Sequence, residues 1–140
     1  MSNTPRFLPL LLAFCMFSTG ASGLVNEYVL ATITTYILGN SIEQFSIVIA
    51  SMMLMMGVSG FVQSKMSDRY LLQKFISVEV LMALLGGFAP LAIYAAFGYM
   101  NEHFTVVLFF FILSIGFLIG FEIPLVMRII DAFLSIPWIL

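Results

Sequence analysis

Hydrophobic positions fall in four long blocks, residues 7–38, 45–62, 75–100 and 104–128, separated by short polar breaks. Crossing the hydrocarbon core of a bilayer takes about 20 mostly apolar residues in a helix. No alternation of period two runs through the blocks, so barrel strands are excluded and helices are predicted. The first block is interrupted by Asn26-Glu27. As one helix it would be about 48 Å long at 1.5 Å per residue, against a core of ~30 Å. It must tilt, kink or project from the membrane. Pro90, shortly after Gly86-Gly87, is expected to kink the third helix, its missing donor being compensated by a neighbouring helix or water.

The breaks carry matching local chemistry. Gly39-Asn40 suits a helix C-cap, since both residues tolerate the left-handed conformation. Ser41 with Gln44 fits a capping box that opens the second helix. Gln63-Ser64-Lys65-Met66-Ser67-Asp68-Arg69 is the one clearly hydrophilic stretch, and Tyr99 to His103 makes the last turn. The first 23 residues imitate a secretory signal, with Arg6, an apolar run and the small residues Ser18 to Gly23. Apolar character resumes at Leu24 and reaches Leu38, so the segment reads as one long anchor and not as a cleaved leader.

Composition places the solvent. Of 140 residues 62% are hydrophobic and only 9% charged, with a mean hydropathy of +1.14. A soluble domain carries roughly 25% charged residues, so lipid is the expected surround. The net charge of −2 argues against nucleic acid. A single cysteine, Cys15, excludes an internal disulfide and a cysteine-based metal site. The ten methionines are read as core fillers, because adjacent ones face different sides of a helix and lack histidine or cysteine company. His103, beside Glu102, is read as a solvated turn residue. The expected fold is all-α, a polytopic membrane protein of about four transmembrane helices forming a single domain over 1–140. No soluble domain, catalytic residue, cofactor or metal site is predicted.

Basic residues set the orientation. Arg6, the Lys65-Arg69-Lys74 region and Arg128 alternate with two turns that have none. Both termini and the 63–74 loop are therefore expected on the cytoplasmic side, an N-in and C-in topology.

In lipid, small residues mark the faces where helices approach closely, within a chain or between chains. Helix two has Ser46, Ala50, Met53, Gly57, Gly60 and Ser64 on one stripe; helix three has Glu79, Ala83, Gly86 and Pro90. Helix four has the Gly116/Gly120 pair, and helix one has Gly20, Gly23, Glu27, Ala31 and Thr34. Ionisable groups inside a membrane are costly and by default functional. Glu27 shares a stripe with glycines and is expected either to point into protein or a cavity, or to reach the outer interface. Glu79 is expected to pair with Lys74, Arg69 or Arg128 and fix packing. Glu122 lies opposite Gly116 and Gly120 near the cytoplasmic end, where it and Arg128 are read as interfacial anchors.

Three stretches carry a family resemblance. They are Ser22-Gly23-Leu24-Val25-Asn26-Glu27-Tyr28 leading to Leu38-Gly39-Asn40-Ser41; Leu54-Met55-Met56-Gly57-Val58-Ser59-Gly60 with the basic loop behind it; and Gly116 to Arg128, which includes Glu122-Ile123-Pro124-Leu125. In order and spacing they resemble the membrane region of multi-spanning spermidine synthase-like proteins, the membrane-attached polyamine aminopropyltransferases. The resemblance spans about residues 15 to 130 and implies a first helix with a buried glutamate, Glu27. It also implies further helices and a cytoplasmic Rossmann-like domain for decarboxylated S-adenosylmethionine and putrescine. This sequence departs from the pattern. Asn26 stands where the family usually has an aromatic, and Ile129 to Leu140 follow Arg128. No glycine-rich nucleotide loop follows a strand, so the family's catalytic residues have no positions to map onto.

The chain is thus expected to be inert alone. Its expected role is anchor, assembly or substrate-access unit in polyamine metabolism, truncated or split from a larger protein, in a bacterial cytoplasmic (inner) membrane. Its expected partners are the lipid bilayer, a separate chain carrying the missing helices and aminopropyltransferase domain, or further copies of itself. The rival reading is a small oligomeric proton-coupled exporter of polyamines or other cations with Glu27 as the exchanging group. A third is a structural subunit of a larger membrane assembly.

Overall fold

The computed structural model describes residues 7–99 and 103–135. They form α1 (Phe7–Leu38), α2 (Ser41–Ser64), α3 (Leu71–Tyr99) and α4 (Phe104–Ser135). Among the described residues three stretches, Ile42–Ser64, Leu71–Tyr99 and Phe104–Ala132, are long and apolar enough to cross a membrane. The all-helical reading holds, with spans of membrane length in α2, α3 and α4. Arg6, Met100, Glu102 and residues 136–140 lie outside the described residues.

The helices outlast their apolar blocks. Gln73 and Lys74 belong to α3, and α4 continues past Arg128, because Gln, Lys and Arg are good helix formers. Gly39 adopts the left-handed φ of 85° expected of it. The capping box does not form. Asn40 is the N-cap of α2, its carbonyl accepting the Gln44 N–H at 3.1 Å while its side-chain amide donates to Glu43 Oε2 at 2.6 Å. Tyr70 before α3 also has a positive φ, 62°.

The fold is organised around α4. α2 and α3 each pack on α4 without contacting one another among the described residues, and α1 touches all three. Phe104, Leu108, Ile112, Ile115 and Ile119 of α4 recur at helical spacing in the buried core. Facing them are Leu30 and Ile33 of α1, Val48 and Met52 of α2, and Met82, Ala89 and Ile93 of α3. Met52 and Met82 act as the core fillers expected of methionine.

Glycines on α4 set its closest approach. Gly116 faces the backbone of Met52, and Gly120 faces the backbone of Met56 and the Ser59 hydroxyl. On α1, Gly23, Ala31 and Thr34 are buried as their stripe predicts. The stripe of α2 is not used within the chain. Ser46, Ala50, Met53, Gly57 and Ser64 face outward, and the packed face is Val48, Met52, Ser59 and Gln63. The grooves over Gly116 and Gly120 already admit the α2 backbone, so α2 needs no small residues there. In α3 the stripe is used in part. Gly86 lies against the Asn26 side chain of α1, while Ala83 is exposed.

Two prolines sit inside helices, Pro90 in α3 and Pro124 in α4. Each deprives the carbonyl four residues earlier of its helical donor. Those carbonyls belong to Gly86 and Gly120, the glycines at tight crossings with α1 and α2. The outer surface is broadly apolar, with Phe14, Phe17, Phe61, Phe88 and Leu91 all exposed.

Candidate functional site

The small-residue face of α1 does not close fully on α4. Thr19, Gly20, Gly23 and Glu27 line one wall of a cavity of about 260 Å³, opposite Ile119, Glu122, Ile123 and Val126 of α4, with Met56 of α2 at its side. Gly23 permits the contact, since a Cβ there would already touch the Ile119 side chain at 3.4 Å.

Glu122 is the most deeply placed carboxylate of this site. It is 3% exposed, and its Oε1 has no hydrogen-bond partner. Expectation put it at the headgroups because it lies opposite Gly116 and Gly120. That geometry is correct, but the opposite side of α4 is covered by α1, so Glu122 is interior. The Thr19 hydroxyl and the Glu79 carboxylate are its polar neighbours. Glu27 is half-buried and shares the same cavity.

Glu79 borders a second cavity of about 320 Å³ with Phe14, Cys15, Ser18, Thr19 and Phe75. Thr19 lies on the boundary of both. The ion pair expected of Glu79 is absent, because its three candidate partners are engaged elsewhere. Lys74 Nζ donates to the Ser67 carbonyl at 2.6 Å, and the Arg69 guanidinium sits 5.1 Å from the Tyr70 ring centre. Arg128 pairs with Asp68 at 2.8 Å.

Arg128 is accordingly more than an interfacial anchor. Its Nη1 also donates to the Met66 carbonyl at 2.9 Å, and its Nη2 reaches the Ser64 carbonyl at 3.3 Å. A cation at the C-terminus of α2 satisfies carbonyls that lack helical partners and complements the helix dipole. It ties α4 to the basic loop.

Thr19 and Gln63 were missed by sequence reasoning. Thr19 is one turn before Gly23, so extending the α1 stripe backward finds it. Gln63 is 2% exposed with an unpartnered Oε1, and nothing in its own helix marks it. A wide apolar groove of about 710 Å³ runs over α4 between α2 and α3, lined by Met55, Leu84, Phe110 and Phe117 among others. Among the described residues no three His, Cys, Asp or Glu side chains converge to hold a metal ion.

Comparison with known proteins gives one kinship. The sequence is 36% identical over 120 residues to polyamine aminopropyltransferase 2 of Ralstonia nicotianae, covering 86% of this chain and 24% of that protein. It is 39% identical over 120 residues to polyamine aminopropyltransferase 2 of Aquifex aeolicus, covering 84% and 24%. With the polyamine aminopropyltransferase of Leptospira interrogans it shares 38% over 108 residues, covering 77% and 21%. The chain spans about a quarter of the length of these curated relatives. No protein-family model matches the sequence, and no solved structure does.

Proposed function

We propose, for a chain related over most of its length to about a quarter of the polyamine aminopropyltransferases, that it is the membrane-embedded anchoring and assembly unit of a spermidine synthase-like system. The aminopropyl-transfer chemistry is then supplied by a polypeptide region outside these 140 residues. The observation that carries this reading is the match itself. It covers 77–86% of this chain and 21–24% of each relative.

The proposed arrangement spans a bacterial cytoplasmic membrane with both termini and the 63–74 loop inside. Lys65, Arg69 and Lys74 support that orientation. So does the attachment of Arg128 to Asp68 and Met66 at the same end of the bundle. In this role the outward face of α2, with Ser46, Ala50 and Gly57 exposed, is available to helices of the partner region.

The test is purification of the tagged full chain from membranes. The expected result is resistance to carbonate extraction, no aminopropyl transfer to putrescine by the chain alone, and stoichiometric recovery of a polypeptide carrying an aminopropyltransferase domain. Transfer by the purified chain alone, or its recovery in the soluble fraction, overturns the reading. Orientation is checked in intact cells with Cys15 replaced by serine. An impermeant thiol reagent is expected to label an Asn40→Cys variant and to spare Ser67→Cys.

A further inference from the structure

The loop joining α2 to α3 holds Lys65 and Arg69, and Lys74 stands in the first turn of α3. Asp68 is the one acid between Gln63 and Lys74, and it is already paired with Arg128 at 2.8 Å. Three cations are thus left without a carboxylate partner among the described residues. Their donors are only partly used. Lys74 Nζ gives one N–H to the Ser67 carbonyl at 2.6 Å, a bond that holds it against the loop. Lys65 and Arg69 rest over the Phe61 and Tyr70 rings. An ammonium carries three donors and a guanidinium five, so most of them remain for an anion.

Beyond this loop α2 and α3 make no contact with each other among the described residues. The gap between them is the apolar groove over α4, about 710 Å³, with Ser114 the single polar side chain in its lining. Loop and groove are continuous. Lys74, Leu81 and Leu85 follow at intervals of seven and four and share one face of α3, and both leucines line the groove. On α2, Val62 is exposed seven positions after the groove residue Met55 and carries that wall toward the loop. Met55 stands ten residues before Lys65, about 15 Å at 1.5 Å per residue, which is half of a ~30 Å hydrocarbon core. A lipid tail whose phosphate sits at the loop therefore ends in the groove. A spanning helix ~10 Å across and ~30 Å long needs several times that space.

We propose that this face binds one anionic phospholipid, its phosphate held by Lys65, Arg69 and Lys74 and one acyl chain laid in the groove between α2 and α3. Basic pockets at the ends of membrane helices suit anionic headgroups, and here charge and apolar surface meet at the spacing one lipid requires. The site rests on the membrane insertion put forward above, and on neither the orientation nor the assembly role.

The test is native mass spectrometry of the full chain, delipidated in detergent and titrated with lipid. Dioleoyl-phosphatidylglycerol is expected to bind one to one, about tenfold or more tighter than dioleoyl-phosphatidylcholine, since each basic residue near an anionic surface is worth about fivefold. Dihexanoyl-phosphatidylglycerol has the same headgroup with tails too short to reach the groove, and is expected to bind more weakly, as is inorganic phosphate. The triple variant Lys65→Gln, Arg69→Gln, Lys74→Gln is expected to lose the preference for phosphatidylglycerol. Ser114→Phe fills the groove and leaves the cations in place, and is expected to bring the dioleoyl lipid down to the affinity of the dihexanoyl one. Equal binding of the two headgroups overturns the proposal, as does equal binding of long and short tails by the wild type. So does wild-type affinity in either variant with its helical circular dichroism intact. Insertion is read separately by carbonate extraction: a chain released by carbonate fails the membrane reading and this one, whereas an inserted chain without lipid preference fails this one alone.

Discussion

Gly116 of α4 lies so close to Met52 of α2 that a Cβ on the glycine would stand 3.0 Å from both the Met52 Cα and its carbonyl oxygen. At Gly120, one turn on, the Met56 backbone and Ser59 hydroxyl are closer still. Backbone cannot swing aside as a side chain can, so a methyl group at either position pushes α2 away from α4. Gly120→Ala is expected to destabilise the fold by about 1–3 kcal/mol, the range for overpacking, and Gly116→Ala by less. Gly57 and Gly60 meet nothing within 4 Å, so alanine there is expected to gain roughly 0.5–1 kcal/mol from backbone entropy. Thermal unfolding of the full chain in detergent, followed by circular dichroism, ranks the four variants.

The contrast between these glycines marks how far one-dimensional reading reaches. Each helix and its approximate ends were legible from apolar blocks, because length in a hydrophobic surround is a local property. The stripes of α1 and α4 were legible too, since close approach needs small residues on at least one helix. It does not need them on both, which is why Ser46, Ala50 and Gly57 of α2 are left facing outward within the chain. Glu122 shows the same limit from the other side. Its placement opposite Gly120 was correct, but whether that side meets lipid or α1 depends on the arrangement of helices. The failed pairing of Glu79 follows likewise, because Arg128 finds Asp68 and the end of α2 first.

Asn26 of α1 and Gly86 of α3 are coupled. A Cβ at Gly86 would collide with the Asn26 side chain, whose amide already donates to the Ser22 carbonyl at 3.1 Å. Gly86→Ala is expected to destabilise the bundle, Asn26→Ala to have a smaller effect, and the double variant to recover stability lost in Gly86→Ala. Contacting residues show interaction energies of about 0.5–3 kcal/mol. Purely additive effects in a double-mutant cycle would show that the two side chains do not meet.

Arg128 should be worth more than its ion pair. Asp68 is 74% exposed in that pair, and exposed pairs contribute about 0–1 kcal/mol, so Asp68→Ala is expected to be mild and its effect to fade with salt. Arg128→Ala also strips donors from the Met66 and Ser64 carbonyls. It is expected to fray the end of α2, seen as faster amide hydrogen exchange at residues 61–66. Lysine should rescue poorly, because a single ammonium cannot reproduce the two-nitrogen fork that spans these acceptors.

The buried carboxyl of Glu122 bears on stability. With no donor at its Oε1, this group carries the penalty of an unsatisfied buried polar atom, about 1–3 kcal/mol. Leucine has similar volume and no polar atom, so Glu122→Leu is expected to raise stability by about that amount. Glu27 is only half-buried, and Glu27→Leu should change stability less. Should Glu122→Leu instead prove less stable than wild type, the contacts of the carboxyl with its neighbours Thr19 and Glu79 outweigh the penalty at Oε1.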